Sequence, residues 1–231
     1  MSGQREENAP VKQAKWLCAA LLAFACLGLE ALVLSLEGLW FSGSFREWNI
    51  LQMTLHWLTT SLLWCIAACL LCTWATKQGF AVFNKAPAPK VSAVLAVFFL
   101  VAVCAGVSAL SWGGFKPLME YRSLSEHFHG AGLLAFVFQY LYYLAESALI
   151  LLLIVFGQRW GEAVFCFRGT AFVPWGGLLC GLTWGLAHIY TKSLGTGLAL
   201  WAVTVLYGAA YLLLGKNARW GYAAVAAMFL L

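Results

Sequence analysis

The chain has 231 residues, of which 63% are apolar or aromatic and 10% are charged. Soluble globular domains have roughly 45–50% apolar and roughly 25% charged residues, so this composition excludes a water-soluble fold and favours a protein of the lipid bilayer. The fourteen Lys and Arg behind the net charge of +5 are scattered singly between apolar blocks, which argues against a nucleic-acid-binding surface. We therefore expect an all-α transmembrane helix bundle with no nucleic-acid partner.

The first apolar segment follows a polar tail over residues 1 to 15 and reaches about residue 41. It is too long for the core of a signal peptide and lacks a small-residue cleavage site, so it predicts a first membrane helix. Charges, prolines and glycine clusters divide the rest of a single transmembrane domain, 16 to 231, into further spans. The seven predicted spans are 16 to 41, 50 to 76, 91 to 112, 131 to 157, 175 to 191, 196 to 214 and 220 to 231.

The distribution of basic residues predicts the orientation. If the N-terminus is cytoplasmic, ten Lys and Arg fall in cytoplasmic segments and four fall outside. This asymmetry follows the positive-inside rule and predicts a multi-pass protein of a cell membrane, the bacterial cytoplasmic membrane in our interpretation. The loop over 113 to 130 carries acidic and histidine residues and is predicted to lie outside.

Ionisable side chains inside the predicted spans are the first candidates for function. Each costs at least ~2.5–3.5 kcal/mol at a helix centre, so each needs a partner or a water-filled cavity. The candidates are Glu30, Glu37, His56, Glu146 and His188. At ~1.5 Å per residue, Glu146 lies about 16 Å, His188 about 20 Å and Glu30 about 21 Å from the cytoplasmic ends of their spans. These three groups are predicted to share one layer of the bilayer.

The fourth predicted span adds a polar stripe to this layer. Gln139, Tyr142 or Tyr143, and Glu146 recur at helical spacing and should face the interior, because hydrocarbon cannot satisfy them. A carboxylate and a neutral imidazole in such a cavity can act as general bases on one water, or bind a divalent metal with further ligands. The same groups can also only lock two helices together, and their spacing does not decide between these roles.

Two other groups of metal-ligand residue types are weaker candidates. Cys65, Cys69 and Cys72 share a helix face, but a zinc site there would need a fourth ligand from another helix, so packing is favoured. The sequence EHFH at 126 to 129 is interpreted as a solvated loop, because ligands on adjacent residues rarely complete a tetrahedral site.

The segment TWGLAHIYTK, 183 to 192, resembles the second motif of the CAAX-protease and bacteriocin-processing (CPBP, or Abi) family of intramembrane metalloproteases. That motif is F-x-x-x-H near a helix end, with Trp184 at the aromatic position and His188 at the catalytic histidine. The first motif of the family, E-E-x-x-x-R, is matched by Glu146 in YYLAES. The resemblance covers about residues 130 to 231 and implies that Glu146 and His188 activate a water.

The chain departs from the family pattern at two motifs. Glu146 has no second glutamate beside it, and the arginine of the first motif is missing. The third motif, H-x-x-x-N or a variant, is associated with oxyanion stabilisation. Here LYGAAY offers only Tyr207 and Tyr211 at that spacing, and a tyrosine hydroxyl can still donate to an oxyanion. The resemblance is therefore that of a divergent relative.

The leading expectation is an intramembrane endopeptidase for a membrane-embedded or prenylated peptide or protein substrate. Its catalytic residues would be Glu146, His188, Tyr207 and Tyr211, and Glu30 would support them. Whether a divalent metal such as zinc binds Glu146 and His188, with Glu30 as a candidate third ligand, stays open, as does the absence of any cofactor. A binding-only relative that recognises such a substrate without cutting it is the nearest variant of this hypothesis.

Two hypotheses from other classes remain. A small transporter would use Glu30, Glu146 and His188 as a proton or cation relay. A structural membrane protein, such as an immunity or assembly factor, would use its buried polar residues only to fix helix register. A closed cavity opening toward lipid or one leaflet would favour the protease, whereas a continuous polar path would favour transport.

Overall fold

The computed structural model describes residues 9 to 41, 43 to 84, 87 to 165 and 172 to 231. In these ranges the chain forms ten α-helices and no strand, which confirms the all-α prediction. The helices are α1 (Ala9–Leu27), α2 (Leu29–Glu37), α3 (Ile50–Lys77), α4 (Val91–Trp112), α5 (Lys116–Phe128), α6 (Gly132–Val164), α7 (Trp175–Cys180), α8 (Leu186–Thr191), α9 (Leu194–Leu213) and α10 (Ala218–Leu230). Arg5, Lys85 and Arg168, which were counted for orientation, lie outside the described residues.

Four helical stretches are long and apolar enough to cross a membrane. They are Gln13–Glu37, Ile50–Lys77, Val91–Val164 and Leu194–Leu213. Large apolar side chains on their outer faces, such as Leu62, Phe98 and Phe99, are more than 60% exposed, as expected for groups that contact lipid tails. These helices indicate a protein embedded in a lipid bilayer.

The region predicted as an outer loop, 113 to 130, is largely helical. Pro117 lies in the first turn of α5, where its missing N–H costs nothing. Lys116, Glu120 and Leu124 recur four residues apart and line the interior of the molecule. The loop prediction was wrong because these polar residues find partners on distant helices, and a local pattern does not show such partners.

Helix α6 is the centre of the bundle and packs against α1, α3, α5, α7 and α10. Its residues 149 to 156 are at most 1% exposed, so they are enclosed on every side. The helix also continues beyond residue 157, where the predicted span ended, to Val164. The two halves of α6 therefore differ: one is sealed inside the core, and the other, which contains Glu146, faces a cavity.

Glycines bring α7 and α9 into close contact. A Cβ atom built on Gly177 would lie 2.5 Å from the Thr204 carbonyl oxygen and 3.0 Å from the Gly208 Cα. Only glycine fits at such a crossing, as is common where membrane helices approach closely. After α7, one π-helical turn, Gly181–Gly185, inserts before α8. Such turns are rare and are frequent at functional sites.

The charges separate the molecule into two ends. At one end Lys15 donates to the Gln78 side chain at 2.9 Å, and Lys216 pairs with Glu162. We call this the basic end, and its described basic residues are Lys15, Lys77, Lys90, Arg159, Lys216 and Arg219. The other end is covered by α5, which packs on α6.

Candidate functional site

A cavity of about 970 Å³ lies between the helices on the side away from the basic end. Helices α1 to α6 and α8 to α10 all contribute to its wall. On α6 the lining residues end at Glu146, immediately before the sealed segment 149 to 156. The acidic, basic and histidine side chains that line the cavity are Glu30, Lys116, Glu120, Glu146, His188 and Lys192.

The structure brings together the three groups that were predicted to share one layer. Glu30 from α2, Glu146 from α6 and His188 from α8 all line this cavity. Tyr207 lines it as well. Tyr211 does not, because it lies one helical turn closer to the basic end and lines a separate cavity of about 110 Å³. The two tyrosines of the expected third motif are therefore not available to the same site.

Trp184 connects the acid to the imidazole. Its indole N–H donates to Glu146 Oε1 at 3.1 Å, and its carbonyl oxygen is 2.8 Å from His188 Nδ1. Its ring also packs edge-on against the imidazole, with the centroids 4.7 Å apart. No hydrogen bond joins Glu146 directly to His188, and both of these residues belong to the described ranges.

These two contacts determine which atoms are free for chemistry. A carbonyl oxygen can only accept, so Nδ1 of His188 carries the hydrogen and Nε2 of the neutral ring keeps its lone pair. The indole occupies Oε1 of Glu146 and leaves Oε2 for another partner. Each group therefore offers one basic atom to a molecule in the cavity. The sequence analysis treated Trp184 only as the aromatic residue of a motif. Its role could have been suspected because Trp, unlike the Phe of the family motif, carries an N–H that can donate to a carboxylate.

Helix α5 covers the cavity and is held in place by hydrogen bonds to α6 and α10. The hydroxyl groups of Tyr140 and Tyr143 donate to Glu120 at 2.9 Å, and Glu120 is only 2% exposed. Lys116 donates to the Phe229 carbonyl oxygen at 2.6 Å, and its ammonium lies over the Tyr143 and Phe229 rings. Both charged residues are therefore occupied in docking α5 onto α6 and α10.

Glu37 and His56 form a pair outside the cavity lining. Glu37 Oε2 is 2.7 Å from His56 Nδ1, and His56 is 1% exposed. This contact joins α2 to α3, which explains how two ionisable groups are tolerated there.

Comparison with known proteins adds nothing to this geometry. No family model, curated protein or solved structure matches the chain.

The donor set does not fit a metal ion. Within the described ranges, no group of three or more His, Cys, Asp or Glu side chains could hold one. Trp184 also occupies one donor atom each of Glu146 and His188. Zinc coordination by Glu146, His188 and Glu30 is therefore not supported, and we derive no step that uses a metal.

Proposed function

We propose that the chain is an intramembrane peptidase of the CAAX-protease and Abi type, in which Glu146 and His188 activate a water against a peptide bond. The observation that carries this proposal is that Trp184 binds both residues at one wall of one cavity. With Oε1 and Nδ1 engaged, Oε2 and Nε2 are left to hold and deprotonate the water. A general base of this kind contributes ~10²- to 10⁴-fold to a rate.

Tyr207 is the group that best suits oxyanion stabilisation in this proposal. Its side chain is 1% exposed and lines the cavity, and its hydroxyl has no hydrogen-bond partner among the described residues. A free donor that faces the cavity can stabilise the negative charge that develops on a tetrahedral intermediate. The second glutamate, the arginine and the histidine of the family pattern are missing, so a slow enzyme is expected.

The floor of the cavity, which is residues 149 to 156 of α6, favours a peptidase over a transporter. Residues 149 to 156 of α6 are apolar and enclosed, so the cavity does not continue along α6 toward the basic end. A relay would need a polar path through this segment, which its apolar side chains do not offer. The cavity is thus suited to admit a substrate from one leaflet.

In this proposal the bundle crosses a bacterial cytoplasmic membrane seven times. The spans are α1 with α2, α3, α4, α6, α7 with α8, α9, and α10, whereas α5 only covers the cavity. The basic end would be cytoplasmic by the positive-inside rule, which also places the N-terminus inside.

The test is cleavage of a quenched fluorescent peptide with a farnesylated cysteine near its C-terminus, by the full chain purified in maltoside micelles. We expect Glu146→Gln and His188→Asn each to lower the rate by about 100-fold or more. Glu126→Gln is the matched control, because Glu126 is exposed on α5 and does not line the cavity.

Three outcomes of this assay can be separated. Equal rates for the wild type, Glu146→Gln and His188→Asn would overturn the catalytic assignment. A wild-type protein that binds the peptide without cutting it would replace the enzyme by a binding-only relative. Loss of cleavage in the Glu126→Gln control would show that the assay reports folding and not the site.

A further inference from the structure

We propose that the central cavity is a binding site for an ammonium group carried on a single apolar chain, with Glu30 and Glu146 as its anionic pole. The proposal concerns binding alone, so it does not depend on peptide cleavage.

The two carboxylates lack a cationic partner. Glu30 and Glu146 line the same cavity and lie close enough for their charges to interact. The ion pairs within 4.0 Å among the described residues are Glu37 with His56 and Glu162 with Lys216, and neither involves the cavity carboxylates. A carboxylate inside a membrane is normally paired with a counter-charge. The protein therefore presents two carboxyl side chains without a cationic partner and leaves the positive group to a ligand.

The two lysines of the cavity do not supply that positive group. The Lys116 ammonium is bound to the Phe229 carbonyl oxygen and lies over two aromatic rings. Lys192 is exposed at the end of α8 and acts on Glu146 only as a distant charge. Neither lysine neutralises the two carboxylates by contact.

An unpartnered hydroxyl beside the pole points to a hydrogen-bonding ligand. Tyr207 is 1% exposed, lines the cavity and is an electrostatic neighbour of Glu146, yet its hydroxyl has no partner among the described residues. The hydroxyl is therefore free to accept a hydrogen bond from an N–H of a ligand in the cavity. A primary ammonium has three hydrogens, which suffice for Glu30, Glu146 and Tyr207.

The rest of the wall suits an apolar body. The aromatic rings of Phe24, Trp57 and Trp184 line the cavity, and ring faces attract an ammonium as well as hydrocarbon. The volume of about 970 Å³ is far more than a bare ion needs and lies in the range of sites for small organic ligands. An alkylammonium would place its charge at the pole and its chain along these rings.

The experiment measures binding of octylammonium to the full chain in nanodiscs of neutral lipid, by calorimetry and by the shift in thermal unfolding temperature. Octyl sulfate and octanol have the same chain and serve as anionic and neutral controls. We expect octylammonium alone to bind, and Glu30→Gln to weaken its binding by about tenfold or more. Glu126→Gln, at an exposed position, should bind like the wild type.

Lys192→Gln gives a second test at an exposed site where folding is not at risk. Removing this like charge should tighten octylammonium binding by about two- to threefold, since the charge is screened. Wild-type affinity in a folded Glu30→Gln protein, weaker binding in Lys192→Gln, or preferential binding of octyl sulfate would each overturn the proposal. Cleavage is not part of this readout, so failure of the peptidase assay would leave the result unaffected.

Discussion

Trp184 shows how one side chain can organise two others. Its indole N–H donates to Glu146 and its carbonyl oxygen accepts from His188, so one residue binds both through separate groups. A phenylalanine at this position would keep the ring contact with the imidazole and lose the donor to the carboxylate. The residue is therefore a positioning residue in the proposed site, and its N–H is the group that matters.

Trp184→Phe should separate these two contributions. An aromatic ring and the backbone carbonyl are kept while part of the buried indole is lost, so we expect only a modest fall in the unfolding temperature. Glu146 loses its anchor, and misplacement of a reacting group by about 1 Å can cost ~100-fold, so the cleavage rate should fall by about ten- to 100-fold.

Trp112→Phe is the control for the Trp184→Phe variant, because Trp112 lines the same cavity and its N–H has no hydrogen-bond partner among the described residues. Equal losses of cleavage rate in both variants would show that the indole N–H of Trp184 does not position Glu146.

At the scale of helices, the position of His188 depends on how closely α7 approaches α9. The contact at Gly177 involves backbone atoms of Thr204 and Gly208, which cannot move aside as a flexible side chain can. The π-helical turn follows directly and leads to α8. The α7–α9 crossing therefore sets where the imidazole enters the cavity.

Gly177→Ala should destabilise the protein by at least about 1–3 kcal/mol, since the added methyl group would overlap the backbone of α9. Gly106→Ala on α4 is the matched control, because no atom of a neighbouring residue lies within 4 Å of its added Cβ. In a helix that change should be neutral or stabilise by up to roughly 1 kcal/mol. The unfolding temperatures in micelles measure both, and similar shifts of the same sign would contradict the packing described for α7.

For the whole molecule, the predicted orientation can be tested at two points only 24 residues apart, Lys192 and Lys216. These residues lie at opposite ends of α9. Alkaline phosphatase, which folds only outside the cytoplasm, should be active when fused after Lys192. A fluorescent protein that folds in the cytoplasm should emit when fused after Lys216. The reverse pattern would place the basic end outside and contradict the topology.

The sequence predicted where the helices lie better than it predicted which helices pack against each other. The spans at 50 to 76 and 91 to 112 match α3 and α4 closely, because charges, Pro and Gly mark their ends. Helix α5 was missed because the partners of Lys116 and Glu120 lie on α6 and at the end of α10. Such partners become visible only when the helices are packed.

The candidate site was also predicted only in part from the sequence. Counting residues along each span predicted one layer for Glu30, Glu146 and His188, and the structure shows that all three line one cavity. The floor of the cavity could not be predicted, because it depends on the packing around α6, and so Tyr207 and Tyr211 were treated as equivalent. The structure separates them into two cavities.

The most direct test of the account is a double-mutant cycle on peptide cleavage with Glu146→Gln and His188→Asn. If both residues act on one water in one cavity, the double variant should be about as slow as the slower single variant, because groups that act as a unit are not additive. If the two losses multiply in the double variant, the residues act independently, and the shared site that Trp184 is proposed to organise would be contradicted.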